Sequence, residues 1–205
     1  MLKLYYSPGA CAMASHIALE EAGADYEAIA IDLKTGAQKA PQYLAINPAG
    51  VTPALVTDEG VLTENLVIMG YVAQTHPEAK LADTDSRFRF GKMQAFNGFL
   101  ASSLHPAVSR VLFARPPLEG EAKAMALEAA LAKYDLVEHH LFQGPWVMGE
   151  RYTVADGYLS VFTRWLRERD LLEPARFRRL DAHLTEVQAR PAVRRVLEME
   201  GLEPV

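Results

Sequence analysis

Cysteine, long apolar runs and surplus basic charge are all scarce in this chain of 205 residues, and each scarcity excludes a class of protein. The one cysteine excludes internal disulfides and the paired-cysteine motifs of metal and redox sites. The longest apolar run, residues 66–73, is far shorter than the roughly 20 residues that span a bilayer. Acidic residues outnumber basic ones by 26 to 21, and no basic block predicts a nucleic-acid surface.

The composition that remains is that of an ordinary globular protein. Half of the residues are apolar and 23% are charged, which excludes an intrinsically disordered chain. The length allows one large domain or two small ones. The first six residues reach the turn residues Ser7, Pro8 and Gly9 too early for a secretory signal. We therefore expect a cytoplasmic protein with neither membrane nor nucleic acid as a partner.

The first part of the chain alternates between strand and helix patterns. Apolar spacing predicts helices over residues 10–22 and 64–74, the first of them stopped by Gly23. Strands are predicted over residues 2–6, 26–32, 54–57 and 61–63. This order indicates a mixed sheet with a right-handed crossover between its first two strands.

After His76 and Pro77 nothing predicts a strand. Helical spacing recurs over residues 86–112, 118–141, 153–169 and 175–189, with prolines between and within these stretches. We expect an α/β domain over residues 1–76, a linker over 77–85 and an all-α domain over 86–205.

Cys11 is the first residue that could carry chemistry. It follows the first predicted strand and turn, at the opening of the first predicted helix. Free backbone N–H groups and the helix dipole favour a thiolate at such a place. The alternative is a small apolar side chain that fills space.

Two further turns of the predicted sheet could bind a ligand. A cis bond between Thr52 and Pro53, before the third strand, would present the Thr52 backbone to a ligand, although proline also opens ordinary strands. The N–H groups at Glu64 and Asn65, which open a helix, could hold a carboxylate. Simple capping by Thr63 and Asn65 is the alternative there.

These turns together resemble the thioredoxin-like domain of bacterial glutathione S-transferases. The segments that carry the resemblance are Tyr5-Tyr6-Ser7-Pro8-Gly9-Ala10-Cys11, Asn47-Pro48-Ala49-Gly50-Val51-Thr52-Pro53-Ala54-Leu55 and Leu62-Thr63-Glu64. The first is similar to the opening of the beta class, which has a cysteine at this position. In the helical half, Thr153-Val154-Ala155-Asp156 is similar to the capping box of the family. The resemblance covers nearly the whole chain.

The resemblance implies a thioredoxin-like domain, a helical bundle, a homodimer, and glutathione held between the domains as a co-substrate. It implies that the backbone of Thr52, beside a cis Pro53, pairs with the cysteinyl part of glutathione. The turn at Glu64 and Asn65 would receive the γ-glutamyl end. Because the beta class commonly has Gly or Ser after this glutamate, Asn65 is a departure from the family.

His105 matches the histidine that the beta class places near the glutathione sulfur. Ser102, one helical turn earlier, is expected to share its face and to bind glutathione as well. The family often has a lysine after this histidine, whereas Pro106 here predicts a kink. Lys34 and Lys39 both remain candidates for the glycyl carboxylate, and we favour Lys34.

The function implied is conjugation of the glutathione thiolate to a small hydrophobic electrophile, with Cys11 and His105 as catalytic residues. Cys11 also makes thiol–disulfide exchange plausible. Tyr5, Tyr6 and Ser7 compete for the activating role, because other classes use a tyrosine or serine here. The alternatives are a non-catalytic binding or regulatory protein of this fold, or a glutathione-dependent isomerase or dehalogenase. The remaining histidines, His76, His139, His140 and His183, show no partner pattern and predict no metal site.

Overall fold

The computed structural model describes all 205 residues and contains one sheet of four strands. In chain order these are β1 (Leu2–Tyr6), β2 (Tyr26–Ala30), β3 (Ala54–Val56) and β4 (Val61–Thr63). The spatial order is β2-β1-β3-β4, with β1 and β2 parallel and β3 antiparallel to both of its neighbours. Leu4 of β1 lies opposite Ala28 and Leu55. The predicted mixed sheet is confirmed.

Nine helices accompany the sheet. Three belong to the N-terminal part: α1 (Met13–Ala22), the short α2 (Pro41–Leu44) and α3 (Asn65–Thr75). The others are α4 (Arg87–Phe99), α5 (His105–Leu112), α6 (Gly120–Leu136), α7 (Val154–Arg167), α8 (Arg178–Ala189) and α9 (Pro191–Met199). No helix combines the length and the apolar character that crossing a membrane requires.

The helix predicted over residues 86–112 is interrupted just before Pro106. A π-helical turn, Leu100–Leu104, joins α4 to α5. Proline cannot donate to the carbonyl of Ser102, and the wider turn accommodates the missing hydrogen bond. The predicted distortion is confirmed, and it takes the form of a π turn.

The last helix is not among those predicted, because the recognised helical spacing ends at residue 189. Pro191 follows, a residue type that usually breaks helices. It stands instead at the first position of α9, where the missing N–H of proline has no helical partner to lose. Helix α9 packs against α1, so the end of the chain lies beside its beginning.

Helix α7 forms the centre of the helical part, and nearly all of its residues are buried. The predicted capping box is confirmed: Asp156 accepts from the backbone N–H of Thr153 at 2.7 Å. Asp156 also accepts from the N–H of Val147 at 2.7 Å and lies 3.0 Å from Nε2 of His183. The interpretation of His183 as a histidine without a partner is therefore wrong, since α8 brings it to Asp156 from a distance in sequence that no spacing pattern shows.

Candidate functional site

A cleft of about 920 Å³ lies between one edge of the sheet and the helical part. Because β1 and β2 are parallel and β3 runs against them, the end of β1, the end of β2 and the start of β3 meet at this edge. The loops at that edge form one wall. The lining residues are Ser7–Cys11, residues 30–34, Gln38, residues 50–52, His105, Phe113 and Trp165.

The turn after β1 is held by the far end of the chain. Gly9 has a φ of 67°, which favours glycine. Its N–H donates to Oε2 of Glu200 at 2.8 Å, and its carbonyl accepts from Nε1 of Trp165 at 2.9 Å. The other oxygen of Glu200 lies 2.8 Å from Nδ1 of His16, and both of these side chains are fully buried. Sequence reasoning missed His16 and Glu200, because 184 residues separate them.

Cys11 lies in the turn before α1, at the floor of the cleft and partly exposed. Most of the surroundings of its sulfur are protein, and this burial raises the pKa of the thiol to about 11. The nearby side-chain amide of Asn65 acts in the opposite direction and is the smaller effect. The predicted stabilisation of a thiolate is therefore wrong for the free protein, because α1 begins only at Met13 and burial outweighs its dipole. At neutral pH Cys11 carries a proton.

The turn at Glu64 and Asn65 lies beyond β4 and does not line the cleft itself. Glu64 is exposed and has a φ of 69°, an uncommon conformation for a residue with a side chain. Asn65 is buried and accepts from the hydroxyl of Ser15 at 2.7 Å. No side chain caps α3, so the alternative of simple capping by Thr63 and Asn65 is wrong.

His105 opens α5 and lines the cleft. Its ring lies against Phe162 and Trp165, with centroids 5.2 and 5.6 Å away. Burial lowers the pKa of the imidazole below its usual 6.5, so the ring is neutral at pH 7.

Ser102 does not join His105 in the cleft. Its hydroxyl is exposed to solvent and donates to the carbonyl of Gly98 at 2.8 Å. A π turn contains more residues than an α turn, so residues three apart no longer lie above one another. The expectation of a shared face is wrong for this reason.

The loop after β2 supplies one lysine to the cleft. Lys34 lines it, whereas Nζ of Lys39 donates to the carbonyl of Ala49 at 3.1 Å. Thr52 lines the cleft, and the bond between Thr52 and Pro53 is cis. Gln38 also lines the cleft and was missed by sequence reasoning, because nothing in the spacing distinguishes it from other loop residues.

Of the three hydroxyl residues near the end of β1, only Ser7 lines the cleft. The ring of Tyr6 packs against His16 with centroids 4.8 Å apart, and burial raises its pKa. Tyr5 lies on the opposite face of the strand near Tyr43. The alternation of a strand thus removes both tyrosines from the cleft.

Aromatic residues form the helical wall of the cleft. Phe113 and Trp165 meet edge to face, with centroids 5.2 Å apart. Phe113 is 48% exposed, so apolar surface faces the opening. Phe99 and Leu112, two other apolar residues of the helical part, do not line it.

Two family models match the chain. "Glutathione S-transferase, N-terminal domain" matches residues 1–74, and "Glutathione S-transferase, C-terminal domain" matches residues 100–191. The glutathione S-transferase GstA of Escherichia coli O157:H7 is 35% identical over 98% of this chain and its own full length. The glutathione S-transferase GST-4.5 of Xanthomonas campestris is 32% identical over the same shares. A maleylacetoacetate isomerase of Rhizobium meliloti is 30% identical over 68% of the chain and 69% of its own length.

Solved structures agree over nearly the whole length. A glutathione transferase homologue from Sulfitobacter, with bound glutathione, has a TM-score of 0.87 and 32% identity, covering 99% of both chains. A bacterial beta-class glutathione S-transferase of Sphingomonas chungbukensis has a TM-score of 0.86 and 34% identity, covering 98% of this chain and all of its own. The fold and the resemblance inferred from the sequence are confirmed. The chain belongs to the glutathione S-transferase family.

Proposed function

We propose that the chain joins glutathione, through its sulfur, to a small hydrophobic electrophile. The observation that carries this is the composition of one cleft. Its polar wall consists of the turn with Ser7 and Cys11, the Thr52 backbone and Lys34. Its other wall consists of His105, Phe113 and Trp165. In the reaction the thiol loses a proton, a sulfur–carbon bond forms and a leaving group such as halide departs with its electron pair.

The order of the strands supports one direction for glutathione across the cleft. In this proposal its cysteinyl part lies at Thr52 and Pro53, at the start of β3 beside the end of β1. Its γ-glutamyl end reaches Glu64 and Asn65 beyond β4, and its glycyl end reaches Lys34 beyond β2. The sheet order β2-β1-β3-β4 supports this direction, because it arranges these turns in the same sequence along one edge.

Two groups in the cleft suit the chemistry of a thiol. The neutral imidazole of His105 can accept the proton of the glutathione thiol. The protonated Cys11 can donate its S–H to the resulting thiolate. Thiol–disulfide exchange that starts from Cys11 is expected to be slower, because a thiol of raised pKa is a poor nucleophile at neutral pH. Ser102 stays a predicted glutathione ligand with less support, since its hydroxyl is bonded to Gly98.

The proposal extends to the architecture. We propose domains over residues 1–76 and 86–205, a linker over 77–85, and a homodimer through the face of α3 and α4. Support for that face comes from Val67 and Phe88, which are 43% and 76% exposed. A cytoplasmic location is also proposed, supported by the unpaired thiol of Cys11.

The test is an assay of glutathione with 1-chloro-2,4-dinitrobenzene, together with calorimetry of glutathione binding. We expect saturable turnover above the uncatalysed rate. Binding without turnover across a panel of electrophiles would favour the non-catalytic alternative. Turnover only with substrates that isomerise, or that lose halide without keeping the glutathionyl group, would favour the other alternative, and no binding would overturn the proposal.

A further inference from the structure

Asn65 opens α3 and has its side chain inside the protein rather than in the cleft. It is 5% exposed and does not line the cleft. Its amide oxygen accepts from the hydroxyl of Ser15 at 2.7 Å, and Ser15 is a fully buried residue of α1. The oxygen branch of this amide is therefore fixed. The two N–H groups on the other branch remain to serve different neighbours.

The thiol of Cys11 and the hydroxyl of Tyr158 both lie near the Asn65 amide. Tyr158 belongs to α7 and is almost fully buried. Burial raises the pKa of both groups, and the Asn65 side chain acts against that rise in each. The carboxylate of Glu64, in contrast, adds to the rise in both. Because an amide favours an ionised thiol or phenol only by donating to it, the N–H side of Asn65 faces Cys11 and Tyr158.

Three helices hold this cluster in place beneath the cleft. Helix α1 packs against both α3 and α7. The approach of α7 is close, because a Cβ at Gly157 would lie 3.1 Å from the side chain of Ile17 on α1. Of the four residues in the cluster, only Cys11 lines the cleft. A force on its sulfur from the buried members would therefore be felt at the ligand.

We propose that Asn65 is a positioning residue for Cys11, whose side-chain amide donates to the sulfur and directs the S–H group toward the sulfur of bound glutathione. The donors then follow one direction: Ser15 donates to Asn65, Asn65 to Cys11, and Cys11 to the ligand thiolate. Each hydrogen bond in such a chain polarises and strengthens the next one. His105 remains the acceptor of the glutathione proton, and Cys11 keeps its own. This inference rests on the proposed function, since it assumes a glutathione thiolate beside Cys11.

The experiment is a double-mutant cycle in the conjugation assay, with Asn65→Ala made in the wild type and in Cys11→Ala. In the wild type we expect Asn65→Ala to lower kcat by about three- to tenfold, the loss of one hydrogen bond, and to leave the KM for glutathione unchanged. In Cys11→Ala it should lower kcat no further, because the sulfur on which it acts is absent. Gln74→Ala, which changes an exposed amide near the other end of α3, is the matched control and should alter neither quantity.

Three outcomes of the cycle would overturn the inference. Equal losses of kcat in both backgrounds would show a general disturbance of the turn. A KM raised in both backgrounds would assign the Asn65 side chain to the γ-glutamyl end of glutathione instead. An unchanged kcat in Asn65→Ala would show that the amide does not act on the reaction.

A second variant tests the contact without glutathione. Asn65→Asp keeps the oxygen that accepts from Ser15 and nearly the same volume, but it places a carboxylate oxygen beside the sulfur in place of the N–H groups. Because a nearby negative charge raises the pKa of a thiol, alkylation of Cys11 by iodoacetamide at about pH 8 should slow by about three- to tenfold. Labelling is unambiguous, since the chain has one cysteine. An unchanged alkylation rate would overturn the contact itself. Failure of the wild type to turn over glutathione would instead overturn the proposed function, and the alkylation rate would still decide the contact.

Discussion

The two walls of the cleft are held in place in different ways. On the sheet wall, contacts are short in sequence: Lys34 bonds to Asp32, and Lys39 reaches Ala49. Contacts to the opposite wall span most of the chain, because Gly9 is bonded to Trp165 and to Glu200. A local turn can be changed with local effect, whereas a change in the long-range contacts alters both walls together. The arrangement of the cleft therefore depends strongly on Glu200, a residue that does not line it.

The largest effect on stability and on glutathione binding is expected for Glu200→Ala, which would remove the long-range contact that holds the turn after β1. The Gly9 N–H and the buried His16 would both lose their partner, at a cost of about 3 kcal/mol in the free energy of unfolding. Displacement of the turn would also raise the KM for glutathione about tenfold or more. Urea denaturation and steady-state kinetics measure the two effects.

Glu200→Gln distinguishes a role in positioning the turn from a role in stability alone, because the amide oxygen of glutamine can still accept from the N–H of Gly9. We expect the KM of Glu200→Gln for glutathione to lie closer to that of the wild type than to that of Glu200→Ala. The exposed neighbour Glu198, changed to Ala, is the matched control and should alter neither quantity. An unchanged KM in Glu200→Ala, despite lower stability, would show that the turn does not depend on this contact.

The next effect concerns catalysis on the helical wall. His105→Ala is expected to slow conjugation by about 10–100-fold, the loss of roughly 1.4–2.7 kcal/mol of transition-state stabilisation. Because burial lowers the pKa of His105, the wild-type rate should fall only at pH values below 6.5, where the ring gains a proton. The variant should lack that acidic limb. A full rate in His105→Ala would make Ser7 the next position to change.

Cys11, on the sheet wall of the cleft, is expected to react and to affect stability in a pH-dependent way. With a pKa of about 11, its alkylation by iodoacetamide should accelerate about tenfold per pH unit and level off only near pH 11. The raised pKa also contributes stability that is present below pH 9 and lost as pH rises toward 11, roughly 2–3 kcal/mol in total. Cys11→Ala should lack this loss relative to the wild type. Half-maximal alkylation near pH 9 would contradict the burial argument.

The smallest change in the KM for glutathione is expected for single substitutions in the loop after β2. Lys34→Ala should raise the KM for glutathione by about three- to tenfold without changing kcat, because it removes an exposed charge from the ligand. Lys39→Ala should have a smaller effect, since Lys39 supports the loop and does not line the cleft. The reverse order would assign the glycyl carboxylate to Lys39.

Sequence reasoning succeeded where a feature depends on neighbours along the chain. The strands follow from alternation, the end of α1 from Gly23, and the capping box from Thr153 and Asp156. Even the distortion near residue 105 follows from the chemistry of Pro106. Each of these is decided within a few residues, where spacing and propensity are informative.

The predictions that are wrong, and the residues that were missed, concern features that depend on how the folded chain packs. The protonated state of Cys11 depends on the protein packed around its sulfur, which outweighs the helix start visible in the sequence. His183 meets Asp156, and His16 meets Glu200, only after the helices pack. Ser102 leaves the cleft because the π turn changes the number of residues per turn. None of these contacts has a spacing pattern, so no periodicity analysis could find them.

The contact between Gly9 and Glu200 also has a consequence for the order of events during synthesis. A chain made from its N-terminus produces the sheet and its cleft loops first, but Glu200 follows Gly9 by 191 residues. The Cys11 turn can reach its final arrangement only after Glu200 has been made and α9 has packed against α1. A chain shortened before Glu200 should hold a folded sheet and yet bind thiol poorly, so the cleft becomes competent later than the domain that carries most of it.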